Sequence, residues 1–149
     1  MSLQEWQNNG WLVPHQTSPQ EIADLLAVVD RDLADAQTPR LSADWRLNIA
    51  YNAALQAATA ALAAAGCRAS REAHHFRVLQ SLRFTIRLEE NAIRELEQFR
   101  KKRNIGGYER AGAVSDQEAA EMLLLAQKLR RAVVNWLKSA YPQLVPSGD

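Results

Sequence analysis

The residues of this sequence that could do chemistry are concentrated between positions 89 and 108, in EENAIRELEQFRKKRNIGGY. Ala92, Leu96 and Phe99 are spaced at i, i+4 and i+7, so they share one face of a predicted helix. Arg103 comes four residues after Phe99, on the same face. A guanidinium carries a permanent charge, and burying it without a partner costs several kcal/mol. We therefore expect Arg103 to have a partner, a ligand or a route to water.

The residues that follow Arg103 predict a small polar site at the end of this helix. Asn104 comes next, and Gly106-Gly107 breaks the helix, which lets Tyr108 fold back toward it. Arg103 could then bind a phosphate as a fork donor, and Tyr108 could add a hydroxyl donor or a stacking face. The basic run from Arg100 to Arg103 could bind the same anion, or could simply be a solvated basic helix end.

Two adjacent histidines, His74 and His75, lie near the start of a predicted third helix. Neighbouring residues lie about 100° apart around a helix, so the two rings cannot share one face and a metal pair is not expected. The single cysteine, Cys67, excludes an internal disulfide and favours a reducing compartment. One Cys and three scattered His cannot build a zinc site. We predict neither a metal nor a cofactor.

The composition is that of an ordinary globular protein. A chain of 149 residues with 47% hydrophobic and 23% charged side chains predicts one domain. No signal pattern and no apolar run of about 20 residues is present, which places the protein in the cytoplasm. The net charge of +1 hides an asymmetry: residues 1–66 hold three basic and seven acidic side chains, whereas residues 67–149 hold fifteen and ten. An anion would therefore bind the second part of the chain.

Serine caps predict where the helices that position these residues begin. Ser18 and Ser115 each open a capping box, and Ser42 and Ser70 are simple caps. The predicted helices cover residues 19–36, 43–65, 71–86, 89–104 and 116–140, and the third and fourth could be one bent helix. Residues 1–17 are interpreted as an irregular arm that docks Trp6 and Trp11 on the domain's own helices or on a partner chain.

The second helix is predicted to be central. Its apolar stripe is formed by Leu47, Tyr51, Leu55, Ala58 and Leu62, and ten alanines lie between positions 50 and 65. Alanine adds little bulk, so neighbouring helices can approach closely. The predicted fold is an all-α, antiparallel up-and-down four-helix bundle with an extra or broken helix, formed by residues 18–149 after the arm.

The order of these features resembles the HEPN superfamily over roughly residues 18–140. The resemblance rests on the AYNAAL segment of the second helix, a His near the start of the third, RKKRN followed by Tyr108, and a capped final helix. It is closest to the small stand-alone members encoded beside minimal nucleotidyltransferases. The resemblance implies a HEPN-like bundle that forms a homodimer, and a nucleotidyltransferase-type partner protein.

Many members of that superfamily are metal-independent ribonucleases, whose signature is an Arg, a polar residue and a His a few residues further on. Arg103 and Asn104 match the first two positions, but Tyr108 stands where the His would be, and no His follows it. A tyrosine with a pKa near about 10 is a poor base at neutral pH. The resemblance therefore favours a non-catalytic or weakly active component of a toxin–antitoxin-type system, which binds a nucleotide, RNA or a partner.

Two alternatives remain open from the sequence. The first is a metal-independent RNA-cleaving toxin, which would need His74 or His75 to lie near Arg103. The second is a plain helical interaction protein in which Arg103 forms a structural salt bridge to an acidic residue; the candidates are Glu72, Glu95 and Asp44. Several large apolar groups, notably Trp6, Trp11 and Trp136, add to the expectation of a symmetric homodimer.

Overall fold

The computed structural model describes residues 1–106 and 114–145, and the side chains of all of these except residues 104–106. The described chain is mostly helical, which confirms the predicted all-α class. The elements are α1 (Leu3–Asn8), β1 (Leu12–Pro14), α2 (Pro19–Asp35), α3 (Ala43–Ala64), β2 (Cys67–Ala69), α4 (His74–Gln80), α5 (Glu90–Gly106) and α6 (Asp116–Ala140), with 3-10 turns at Ser81–Arg83 and Pro142–Leu144.

Three of the four predicted serine caps are confirmed. The hydroxyls of Ser18, Ser42 and Ser115 each accept a hydrogen bond from a backbone N–H in the first turn of α2, α3 and α6. At Ser115 both bonds of the capping box form. At Ser18 only the serine bond forms, because the Glu21 carboxylate turns away to Thr17 and His15.

The prediction that Ser70 caps a helix over residues 71–86 is wrong. The Ser70 hydroxyl instead donates a hydrogen bond to the Trp11 carbonyl, 3.1 Å away, next to the end of β2. Helix α4 starts only at His74, after Ala73 in the left-handed conformation (φ 53°), and carries no side-chain cap. Helices α4 and α5 are separate, because the segment between them includes Arg87, also left-handed (φ 56°).

The first 14 residues are regular rather than an irregular arm. Helix α1 is followed by β1, which pairs antiparallel with β2, in the register Leu12 opposite Ala69. This two-stranded sheet was not predicted, because three-residue strands are too short to show an alternating pattern. Trp6 is buried and its ring packs edge-on against Trp11 and Phe84, so the two tryptophans dock on the chain's own elements. The division of the chain at residue 17 stays a prediction.

Helix α3 lies against α2, α4, α5, α6 and β2, as expected for a central helix. The five residues of its predicted stripe are all buried, and so are nine of the ten alanines between positions 50 and 65. The small alanine side chains allow this close approach on several sides of one helix. Helix α3 is therefore the element on which α4 and α5 pack, and this packing positions their candidate site residues.

Ion pairs fix which helix ends meet. Arg46, near the start of α3, pairs with Asp116 at the start of α6. Lys102, near the end of α5, pairs with Glu118 in the first turn of α6, with 3.4 Å between Nζ and Oε2. The last turns of α5 therefore lie beside the first turns of α6 and the first half of α3. Within the described ranges, no helix is both long and apolar enough to cross a membrane.

Candidate functional site

Helix α5 places Arg103 at the edge of the core. Leu96 and Phe99 are buried, Ala92 is half-buried, and Ile93, which the predicted stripe omitted, is buried as well. The next residue on this face is Arg103, which is half-buried, and its guanidinium carbon lies 5.2 Å from the centre of the Tyr51 ring. A cation at this distance over an aromatic face is attracted by the negative face of the ring.

Arg103 forms no ion pair with a carboxylate in the part of the chain that the structure describes. The three candidates from the sequence, Glu72, Glu95 and Asp44, do not pair with it there. Among the described residues its guanidinium contacts the Tyr51 ring, and a cation–π contact is weaker than a buried ion pair. This arrangement leaves the arginine able to bind an anion.

Tyr51 of α3 is the centre of the site. Its side chain is 1% exposed, and its hydroxyl lies 3.4 Å from Nδ1 of His75. Burial raises the pKa of Tyr51 to about 12, against the opposing effect of the charges of Arg103 and Arg100. The phenol is therefore neutral at physiological pH, so it can donate a hydrogen bond or offer its ring face but cannot act as a base.

His75, at the second position of α4, faces the same ring. It is half-buried, whereas its neighbour His74 is exposed and lies 6.0 Å away between ring centroids. Burial lowers the pKa of His75, and the positive charges of Arg103, His74 and Arg100 lower it further. His75 is therefore mostly neutral at pH 7 and has a ring nitrogen that can accept a proton. The structure thus brings His75, but not His74, to the Tyr51–Arg103 contact.

Arg100 completes the group from the preceding turn of α5. Its Nε and terminal nitrogen donate to Oε1 of Glu97, at 2.9 and 2.5 Å, and its guanidinium carbon lies 5.9 Å from the centre of the Phe76 ring. The hydrogen bond from Arg100 to Glu97 raises the pKa of Arg100. Because Glu97 balances this second guanidinium, the uncompensated charge of the site belongs to Arg103. We refer to the five side chains of Tyr51, His75, Glu97, Arg100 and Arg103 as the Arg103 cluster.

Two of the residues proposed from the sequence lie outside what can be described. The backbone of Asn104 belongs to α5, but its side chain is outside the described set, and Tyr108 lies outside the described residues altogether. Sequence reasoning also missed the roles of Tyr51 and Glu97, since it assigned Tyr51 to the core stripe alone. The available signal was Tyr51 itself, a hydroxyl-bearing ring within an alanine-rich face.

The donor set of the described residues does not define a metal centre, since no three of their His, Cys, Asp and Glu side chains converge on a common point. Comparison with models of protein families, with curated proteins and with solved structures gives no match to this chain. The geometry of the Arg103 cluster is therefore the basis for a functional proposal.

Proposed function

We propose that this protein binds the phosphate of a nucleotide or of RNA at the Arg103 cluster, as a HEPN-like helical protein of a toxin–antitoxin-type system. The observation that carries the proposal is the position of Arg103, half-buried against Tyr51 and without a carboxylate partner among the described residues. A guanidinium presents its N–H donors in a planar fork that matches two phosphate oxygens.

The neighbours of Arg103 suit a phosphate. Arg100 adds a second guanidinium whose own charge is held by Glu97, so the cluster keeps a net positive charge without the repulsion of two free cations. His75 of α4 contacts the Tyr51 hydroxyl, and these two side chains add neutral hydrogen-bonding groups. A ligand that carries a base as well as a phosphate could also stack on the half-buried guanidinium of Arg103 or Arg100.

The test compares Arg103→Ala with Arg94→Ala, an exposed arginine on the same helix. We expect both variants to unfold within about 2 kcal/mol of the wild type, because neither change breaks a buried ion pair among the described residues and Arg103→Ala loses only a cation–π contact there. Calorimetry and thermal melts measure the affinity for AMP or a short RNA. This affinity should fall roughly ten- to a hundredfold in Arg103→Ala only, because that factor corresponds to the loss of charge-assisted hydrogen bonds.

The opposite outcome would support the plain helical interaction protein. In that case the wild type would show no shift in melting temperature with AMP or RNA, and Arg103→Ala would be destabilised by about 3–5 kcal/mol, as expected when a buried ion pair loses one partner.

Metal-independent RNA cleavage is the second candidate, and one observation favours it. This alternative requires His74 or His75 near Arg103, and His75 and Arg103 both contact Tyr51, from α4 and α5 respectively. The lowered pKa of His75 keeps its ring neutral at pH 7, which is the form that can accept a proton from an attacking hydroxyl.

The architecture and partners belong to the same proposal. An up-and-down four-helix bundle made of α2, α3, α5 and α6 is part of the proposal: α5 packs on α3 and α4, and the ion pair between Lys102 and Glu118 joins its last turns to the start of α6. The homodimer and the nucleotidyltransferase-type partner are proposed from the resemblance, and the cytoplasmic location is proposed from the sequence. The large apolar groups support a dimer less strongly than the sequence suggested, because one of them, Trp6, is buried within the chain. Sedimentation at tens of micromolar tests the dimer, which a monomer there would contradict.

A further inference from the structure

A small cavity, open to solvent on one side, lies between α2, α3, β2 and α4 and has a volume of about 190 Å³. Its walls include the buried apolar side chains of Leu62, Ala63 and Val78. Cores are packed to the density of organic crystals, and voids larger than a water molecule are few. An apolar cavity of about 150 Å³ is large enough to take up benzene. The size and walls of this cavity therefore suit a ligand with one ring or a branched chain of similar volume.

One edge of the cavity is polar. The Oε1 atom of Glu21 accepts a hydrogen bond from the Thr17 hydroxyl at 2.6 Å and lies 2.7 Å from Nε2 of His15. These two hydrogen bonds, with Thr17 the larger cause, lower the pKa of Glu21, so the carboxylate is ionised at neutral pH. Both contacts use Oε1, and within the described residues Oε2 makes no hydrogen bond. A charged acceptor therefore lies at the edge of a mostly apolar cavity, whose lining also includes the polar side chains of His15, Thr59, Arg68 and His74.

The mostly apolar lining favours a neutral ligand over an ion. An ion that enters the cavity loses much of its hydration, which costs far more than the transfer of a neutral molecule of the same size. Arg68 lies exposed at the rim, close to the lining formed by β2, and Glu21 lies on the side of α2, so an anion at the polar edge is also repelled by the Glu21 carboxylate. A neutral molecule avoids these costs and can still donate a hydrogen bond to the carboxylate.

We propose that this cavity is a binding site for a small neutral molecule with a ring-sized apolar body and one O–H or N–H group, which donates to Glu21. The site is independent of the Arg103 cluster and of the function proposed for it. Leu62 and Val78 hold the apolar body by contact and by exclusion of water. The donor group fixes its orientation at the polar edge.

Phenol, toluene and benzoate are the probes, since they share one ring and differ in the polar group. The measurement is the change in the methyl NMR signals of Leu62 and Val78 during titration of the full-length protein. We expect phenol to bind at least about tenfold more tightly than toluene, because a hydrogen bond to a charged acceptor is worth that factor or more. Benzoate should bind more weakly than both.

Two kinds of variant make the test specific. Ala63→Val adds two methyl groups within the space and should abolish binding of phenol and toluene alike, and Ala69→Val is the second cavity-filling variant if the first does not fold. Glu21→Gln keeps the size of the side chain and should reduce the preference for phenol over toluene to about threefold or less, since a hydrogen bond to an uncharged acceptor is weaker.

Three results would overturn the proposal. They are no perturbation of the Leu62 and Val78 methyls by phenol, equal binding of benzoate and phenol, and unchanged phenol binding in a folded cavity-filled variant. None of these results bears on AMP or RNA binding at the Arg103 cluster, so the two proposals fail separately.

Discussion

Arg103 of α5 lies with its guanidinium carbon 5.2 Å from the centre of the Tyr51 ring of α3, so a charged group on one helix rests on a buried aromatic side chain of the next. A cation–π contact contributes about 0.5–2 kcal/mol, and it leaves the N–H donors of the guanidinium available. Among the described residues no hydrogen bond uses those donors. The contact therefore orients the arginine while leaving it able to bind.

The first prediction separates the ring of Tyr51 from its hydroxyl. Tyr51→Phe should change the free energy of unfolding by no more than about 1 kcal/mol, because the 3.4 Å contact with His75 is a weak hydrogen bond. Tyr51→Leu should cost about 1–3 kcal/mol through lost packing, and should also weaken AMP binding because the aromatic face under Arg103 is gone. Urea unfolding and calorimetry measure the two effects. Equal loss of AMP binding in both variants would assign the role to the hydroxyl instead.

The second prediction concerns the titration of His75. Its pKa in the folded protein lies below the usual value of about 6.5, because of burial and of the charges of Arg103, His74 and Arg100. The unfolded chain therefore binds more protons between the two pKa values. The contribution of His75 to stability is complete above about pH 6.5 and is lost as the pH falls through the folded pKa. The His75→Gln variant should therefore lose less stability than the wild type as the pH falls below about 6.5.

The same histidine reports ligand binding. A phosphate beside Arg103 would offset one of the positive charges that lower the pKa of His75, so AMP should move that pKa upward. The measurement is NMR of the imidazole Cε1–H signals across pH 5 to 8, with His74→Gln and His15→Gln used to assign the three rings. An unchanged His75 titration at saturating AMP would place the nucleotide elsewhere on the protein.

The third prediction tests how far the N-terminal residues belong to the core. Trp6 is 5% exposed and packs against Trp11 and Phe84, whereas Trp45 at the start of α3 is 61% exposed. Trp6→Ala should destabilise the protein by about 3–5 kcal/mol, while Trp45→Ala should stay within about 0.5 kcal/mol. Chemical denaturation followed by far-UV circular dichroism compares them. Similar small losses in both would mean that the N-terminal segment contributes little to stability.

Features could be predicted from the sequence where the interacting residues lie close together along the chain. The caps at Ser18, Ser42 and Ser115 were predictable, because a cap and its N–H partner are three residues apart. Ser70 failed because its partner is the carbonyl of Trp11, 59 residues away, which no local pattern contains. The β1–β2 pairing is non-local in the same way.

The candidate site shows the same limit. The position of Arg103 followed from the helical spacing of its own helix. The identity of its neighbours did not, since Tyr51 and His75 belong to α3 and α4 and meet Arg103 only after packing. Tyr51 fits an apolar stripe equally well as a core residue, so its polar contact was invisible to periodicity. A charge that needs a partner can be predicted from one helix, whereas the partner cannot.

The last prediction concerns RNA cleavage. The purified protein should cleave generic RNA poorly or not at all without added metal, because Tyr108 occupies the place of the histidine that the resemblance requires. Tyr51 cannot serve as the base either, since its pKa is raised to about 12. Among the described residues of the Arg103 cluster, only His75 has a basic nitrogen that is neutral at pH 7. Any residual cleavage should therefore fall in His75→Gln and in Arg103→Ala, and should persist in His74→Gln, whose ring is exposed beside the cluster. Fluorescence-quenched RNA substrates with EDTA present measure these rates.

Robust cleavage by the wild type that both cluster variants abolish would make the protein an RNA-cleaving enzyme, with His75 in the role of base, and would contradict the non-catalytic proposal. Cleavage that survives both variants would not depend on the Arg103 cluster, and would contradict the assignment of any residual activity to His75 and Arg103.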